Sequence, residues 1–325
     1  MSVYSAALLL VVFGVSLAAF DLILLGLTPA LLSRLARVAP ATRAHAILLA
    51  RSLPLGLAVS AVALIFLPAW WRHEPDNSGE TASWFLLTAA LLSILPVLQG
   101  LYRALRMFLR TRDRLLVWRG RGRSNAALTS SFEVVEVKSD DLALCVGGYL
   151  RPTIFASADV MRSLDPSEFE AALAHEVSHA KSRDPLRLLW MGSCPDFLQW
   201  FSLDAPWRRA FARACEFAAD ARAAGGDQAI ALDLASALLK VARLRTCRPL
   251  IGDAALDVAV SSAYSSPVDL RARVEALANQ NEACVASGPR PGMAALTILA
   301  IAGAGVALSP RAHALTEALG RLLAP

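Results

Sequence analysis

Five residues carry the chemistry most visible in this chain: His175-Glu176-x-x-His179. Two histidines four apart on a helix share one face. Their imidazoles can then chelate one Zn²⁺, each nitrogen at about 2.0–2.1 Å. Glu176 sits beside that point, where a carboxylate can take a proton from an attacking water. Chance would place H-E-x-x-H in on the order of one in three hundred chains of this composition. Of the five histidines in the chain, two stand in this motif. A histidine pair without metal would be a costly way to build a helix core.

Catalytic zinc needs a third protein ligand and one open position. The remaining histidine downstream is His313, beyond the last apolar block, so a distal carboxylate is required. Glu216 and Asp220, in Arg213-Ala-Cys-Glu-Phe-Ala-Ala-Asp220, again stand at i and i+4. Glu216 is the candidate third ligand, and Asp220 the acceptor for the outer N–H of a ligand imidazole. The plain alternative is a solvated helix face. Asp184 either caps the helix that Pro185 begins or orients a ligand.

The elements that must position these side chains are legible around them. Asp165 is a candidate N-cap, Pro166 fits the first helical position, and Glu168 completes a capping box ahead of His175. Upstream, Phe132–Val137, Leu142–Leu150 and Thr153–Ser157 alternate or run apolar between Gly147-Gly148 and Arg151-Pro152, predicting a small sheet of two to four strands.

The chain has 325 residues, 56% hydrophobic and 18% charged. That apolar fraction exceeds the usual roughly 45–50% and excludes disorder. Blocks at about 3–27, 46–71 and 83–101 are long enough to cross a bilayer, and a shorter one, 293–308, predicts a fourth span rich in Ala and Gly. A basic leader with a cleavage site is not read in the first block, which carries Asp21 near its end, in a hydrated or paired role. Trp70 and Trp71 predict an interfacial anchor.

The net charge is +5, unevenly spread. The connection after the first block carries Arg34, Arg37, Arg43 and Arg51 and no acid; the next carries Arg72 with Glu74, Asp76 and Glu80. After the third block, Arg103 to Arg123 includes eight arginines against Asp113. The positive-inside rule then puts the N-terminus outside and residues 103–290 in the cytoplasm of a multi-pass protein of the inner (plasma) membrane. The basic run reads as a topology and lipid-headgroup signal rather than a nucleic-acid site, since no recognition motif accompanies it. Five cysteines (Cys145, Cys194, Cys215, Cys247, Cys284) form no C-x-x-C pair, so a disulfide framework or zinc ribbon is not expected.

Residues 142–226 resemble the gluzincin peptidases of membranes. The stretch GGYLRPTIFASADVMRSLDPSEFEAALAHEVSHAKSRDPLR is similar to the BlaR/MecR-type antirepressor metallopeptidases, and CEFAADARAA resembles the HtpX and CAAX-endopeptidase branch. Three spans, a peptidase domain and a fourth span resemble the BlaR/MecR layout more. The resemblance implies zinc ligands His175, His179 and Glu216, general base Glu176, and support from Asp220. The fold expected is a mainly α membrane protein: a three-span region over 1–110, an α+β zincin-like domain over 111–290, and a fourth helix with a short tail over 291–325.

Two departures matter. BlaR/MecR receptors carry an extracellular penicillin-binding sensor after the fourth span; about fifteen residues follow here, without S-x-x-K, so direct beta-lactam sensing is not expected. Related peptidases also often place a histidine before a later helix. The comparable stretch, Ser265–Leu277, has none, leaving Arg271, Arg273 or Tyr264 as guesses for the oxyanion donor, each with an ordinary structural role as its alternative. The expected activity is zinc-dependent endoproteolysis near the cytoplasmic membrane face, on a transcriptional repressor or the chain's own linker. The alternatives are an HtpX-like quality-control protease and a non-proteolytic zinc-bound scaffold.

Overall fold

The computed structural model describes residues 3–68, 71, 82–124, 132–138, 144–197, 204–246, 261–262, 267–279, 314 and 318. The expected fourth span, Trp70, Tyr264 and His313 lie outside these. Three long helices come first: α1 (Val3–Leu35), α2 (Pro40–Ala61), which runs on through a π-helical turn at Val62–Phe66, and α3 (Trp84–Arg121). All three are long and apolar enough to cross a membrane. Pro40 opens α2 at the position where a missing N–H costs nothing. Ser83 caps α3, its Oγ accepting from the Leu86 N–H at 3.1 Å.

α3 does not stop where the apolar block ends. Its 38 residues make a rod of about 57 Å, roughly twice the hydrocarbon thickness of a bilayer. The second half carries the arginine run and leads directly into the sheet.

That sheet holds β1 (Gly122–Ser124), β2 (Val134–Val137), β3 (Leu144–Gly147), β4 (Thr153–Ser157) and β5 (Ser261–Ser262), in the order β1-β2-β4-β3-β5. β2 and β4 are parallel; β3 runs antiparallel to β4, with Cys145 opposite Phe155. β1 and β5, each too short to show a period-2 pattern, extend the strands expected from the sequence.

Helices follow: α4 (Ala158–Ser163), α5 (Pro166–Ser182), α6 (Asp184–Ser193), α7 (Ala205–Ala224), α8 (Gln228–Thr246) and α9 (Pro267–Ala278). α5 lies on one face of the sheet, where Ala172, Leu173 and Ala180 pack with Val134, Val146 and Ile154. The cap expected at Asp165 forms: its backbone N–H donates to Glu168 Oε2 at 2.9 Å. Lys240 of α8 grips the same carboxylate at 2.7 Å and Ser236 the other oxygen at 2.6 Å. Burial alone would raise the Glu168 pKa, but these partners outweigh it and pull it to about 2. α7 packs against α2, with Trp207, Phe211 and Ala214 buried against Ala44 and Ile47. The helical domain is therefore docked on the membrane helices, not tethered to them.

Candidate metal centre

His175, Glu176 and His179 are all buried on α5. The two rings meet edge to face, with Nε2 3.1 Å from Nε2. Glu216 comes from the middle of α7, and its two oxygens lie 3.6 Å from the two Nε2 atoms, one each. Ligand atoms of His175, His179 and Glu216 all fall within 4.8 Å of one another.

Each imidazole is held from behind. His175 Nδ1 is 2.9 Å from Asp220 Oδ1, one turn beyond Glu216 on α7. His179 Nδ1 is 2.7 Å from Asp184 Oδ2. Asp184 reaches back because Arg183 takes a left-handed conformation (φ 52°, ψ 40°) that ends α5 and turns the chain sharply into α6. Asp184 is the first residue of α6 and does not cap it, Arg183 holding the N-cap position; its carboxylate faces the His179 ring instead. Arg187, one turn on, donates to its other oxygen at 3.0 Å.

These partners decide the tautomers. A carboxylate accepts only, so these contacts favour hydrogen on both Nδ1 atoms, which would leave both Nε2 lone pairs free for a metal ion. Two lone pairs at 3.1 Å beside a carboxylate are repulsive unless a positive charge joins them. The electrostatics agree. Burial alone would lower the His175 pKa, yet hydrogen bonds that its protonated ring donates to Asp220 and Glu216 lift it to about 9. The donor set, two imidazoles and a carboxylate with Asp184 and Asp220 behind the rings, could hold a metal ion and suits zinc by its chemistry.

Glu176 is pushed up to about 7 by burial, against the lowering pull of His175 and His179. Its Oε2 is buried without a hydrogen-bond partner among the described residues. Glu216 moves the opposite way: burial would raise it, but Arg273 and the two histidines pull it below the ordinary carboxylate range.

Arg273 is the residue whose role the motifs do not reveal. Wholly buried on α9, it donates through Nε and Nη2 to the two oxygens of Asp220, both at 2.7 Å, and its Nη1 lies 2.8 Å from Glu216 Oε2. Burial would lower its pKa, but Glu216 and Asp220 raise it instead, so the charge stays. The structure favours the structural alternative for Arg273, since its guanidinium nitrogens face Asp220 and Glu216. Arg271 is exposed and paired with Glu275 at 2.7 Å.

The model of Peptidase family M48 matches residues 121–244. The matched stretch holds His175, Glu176, His179, Glu216 and Asp220 and stops short of Arg273. None of the curated proteins searched matches the chain. Over this stretch the chain is similar to that family, which implies a metallopeptidase domain beside helices fit to span a membrane.

Proposed function

We propose that the chain is a zinc-dependent membrane endopeptidase that cleaves proteins at the cytoplasmic face. The observation that carries this is the convergence of His175, His179 and Glu216 on one point with Glu176 beside it. Zinc, when bound, supplies Lewis acidity that polarises a peptide carbonyl and acidifies water. Everything else is the work of the chain. Asp220 and Asp184 hold the two imidazoles in the Nδ1–H tautomer and aim their Nε2 lone pairs inward. Arg273 fixes the ligand carboxylate and one of these supporting aspartates together.

Glu176 takes the proton of the attacking water and passes it to the leaving amine. A carboxylate held near pH 7 suits both transfers. The arginine run after the third span supports an inward-facing domain with the N-terminus outside. The likeness of residues 147–187 to the antirepressor branch favours a signalling role, with a transcriptional repressor or the chain's own linker as substrate. The likeness of CEFAADARAA to the HtpX branch favours quality control of membrane proteins.

Glu176→Gln is the decisive variant. Purified in lipid, it should retain zinc at the wild-type stoichiometry and lose cleavage by about 10²–10⁴-fold. Comparison of newly formed N-termini in cells carrying wild type or Glu176→Gln would then identify the substrate and separate signalling from quality control. Full cleavage by the variant would refute the peptidase reading, and cleavage-free zinc binding by the wild type would favour the scaffold.

A further inference from the structure

A second buried polar cluster lies away from the metal centre, where α1, α2 and α3 meet the residues that follow α6. Arg51 of α2 pairs with Asp196; both side chains are 2–3% exposed. Asp21 of α1 accepts from the Phe197 N–H at 3.3 Å, and its other oxygen is buried without a hydrogen-bond partner among the described residues. Arg103 of α3 donates to the Cys194 carbonyl at 3.2 Å. Each membrane helix thus gives this layer one ionisable side chain, aimed at Cys194, Asp196 or Phe197 of one short segment, 194–197.

That segment sits between the two helices that bring carboxylates to α5. α6 has Asp184 at its far end, against His179, and ends at Ser193, next to the cluster. Its ten residues form a rod of about 15 Å. Trp190, near its clasped end, also donates to Ser52 Oγ of α2 at 2.8 Å. α7 starts on the other side, where Trp207 Nε1 donates to Thr28 Oγ1 of α1 at 3.0 Å. Glu216 lies nine residues further along, about 13 Å. Both rods therefore reach the metal centre, α6 by its first residue and α7 by its middle, and each is also fixed to the membrane helices, α6 near its end and α7 near its start.

A buried ion pair is a poor device for stability alone, because desolvation offsets its Coulomb gain; specifying one arrangement is its better-attested use. We infer that Arg51 and Asp196, with Asp21 and Arg103, form a clasp that positions α6 and α7, so that the packing of the membrane helices sets where Asp184 and Glu216 meet the imidazoles. Arg51 and Asp196 are positioning residues in this account, which rests on the reading of the site given above. A shift of α2 against α1 and α3 reaches the metal centre through rigid rods, and the bundle thereby controls the peptidase.

The test uses the full chain in lipid nanodiscs. Arg51→Met with Asp196→Leu replaces the pair by apolar groups of similar volume, which on stability grounds alone is close to neutral. The expected result is an unfolding temperature within a few degrees of wild type, zinc affinity in chelator competition weaker by about tenfold, and a fall in kcat with KM unchanged. Trp190→Phe, which loses only the bond to Ser52 from a half-exposed ring, should weaken zinc in the same direction by a smaller factor, and it carries the test if the double variant does not fold. Variants that equal a zinc-binding wild type in affinity and in kcat overturn the clasp alone. A wild type that takes up no zinc overturns the site reading and the clasp with it.

Discussion

Asp184 and Asp220 have the same task at the two ligand rings, yet the chain holds them differently. Asp220 shares a bidentate arginine, Arg273, with the ligand Glu216, whereas Asp184 has Arg187, whose side chain is 15% exposed. Asp220→Asn and Asp184→Asn should each weaken zinc by about 10–100-fold, since an amide neither fixes the Nδ1–H tautomer nor raises ring basicity as a carboxylate does. The Asp220 change should cost more, because it also strips one of the two anions from a wholly buried guanidinium. Chelator competition on each variant checks this, and equal losses would show that Arg273 does not link the two carboxylates. What was legible at this scale followed from helical period. His175 with His179, and Glu216 with Asp220, each stand one turn apart on one helix, so spacing alone pairs them. Arg273 lies 53 residues from Asp220, and no local pattern encodes a partner at that separation. It could be singled out only as one of three residues, with Arg271 and Tyr264, near a missing histidine, and the structural alternative given for it there is the one its carboxylate partners favour.

At the scale of elements, close approach acts beside the polar cluster where α6 ends. A Cβ added to Gly100 of α3 would stand 2.4 Å from the Ser193 carbonyl oxygen, a backbone atom that cannot rotate away. Gly56 of α2 has nothing within 4 Å of the same imagined atom. Gly100→Ala should therefore destabilise by about 1–3 kcal/mol and push α6 along with Asp184, while Gly56→Ala should be neutral or stabilise by up to about 1 kcal/mol through helix propensity. Thermal unfolding of both variants in detergent, read beside zinc affinity, checks the pair: only Gly100→Ala should lower both. Element types were readable because they rest on local signals: the Asp165 to Glu168 cap, the glycine-bounded strands, the apolar blocks. The continuation of α3 to Arg121 was not, because an arginine-rich stretch after a span reads as a topology signal whether or not it stays helical. β1 and β5 were invisible for another reason. Three and two residues carry no periodicity, and they become strands only because β2 and β3 offer edges to pair with.

For the molecule as a whole, the metal centre is bound to membrane geometry in two ways. α3 enters the sheet as a single rod, and α7 carries Glu216 one residue beyond Cys215, which packs in the cluster formed with Ala44 and Ile47 of α2. On the proposed function, a site built this close to the α1–α2 hairpin would act on proteins held near the same face of the bilayer, so the side on which it lies would decide its substrates. The charges argue for the cytoplasmic side. Arg34, Arg37 and Arg43 crowd the α1–α2 connection, and Arg106, Arg110, Arg112 and Arg114 follow the apolar half of α3, each worth about 1 kcal/mol of attraction to an anionic inner leaflet. Fusions that fluoresce only in the cytoplasm should therefore be bright when joined after residue 38 and after residue 279. Alkaline phosphatase, active only outside, should work when joined after residue 80 and fail at the other two positions. Changing Arg34, Arg37, Arg106 and Arg110 together to Gln should blur this pattern, giving partial phosphatase activity after residue 38, because the charge difference between the connections is what orients the helices. A phosphatase signal after residue 38 in the unaltered chain would put the metal centre outside and remove cytoplasmic proteins from its substrates.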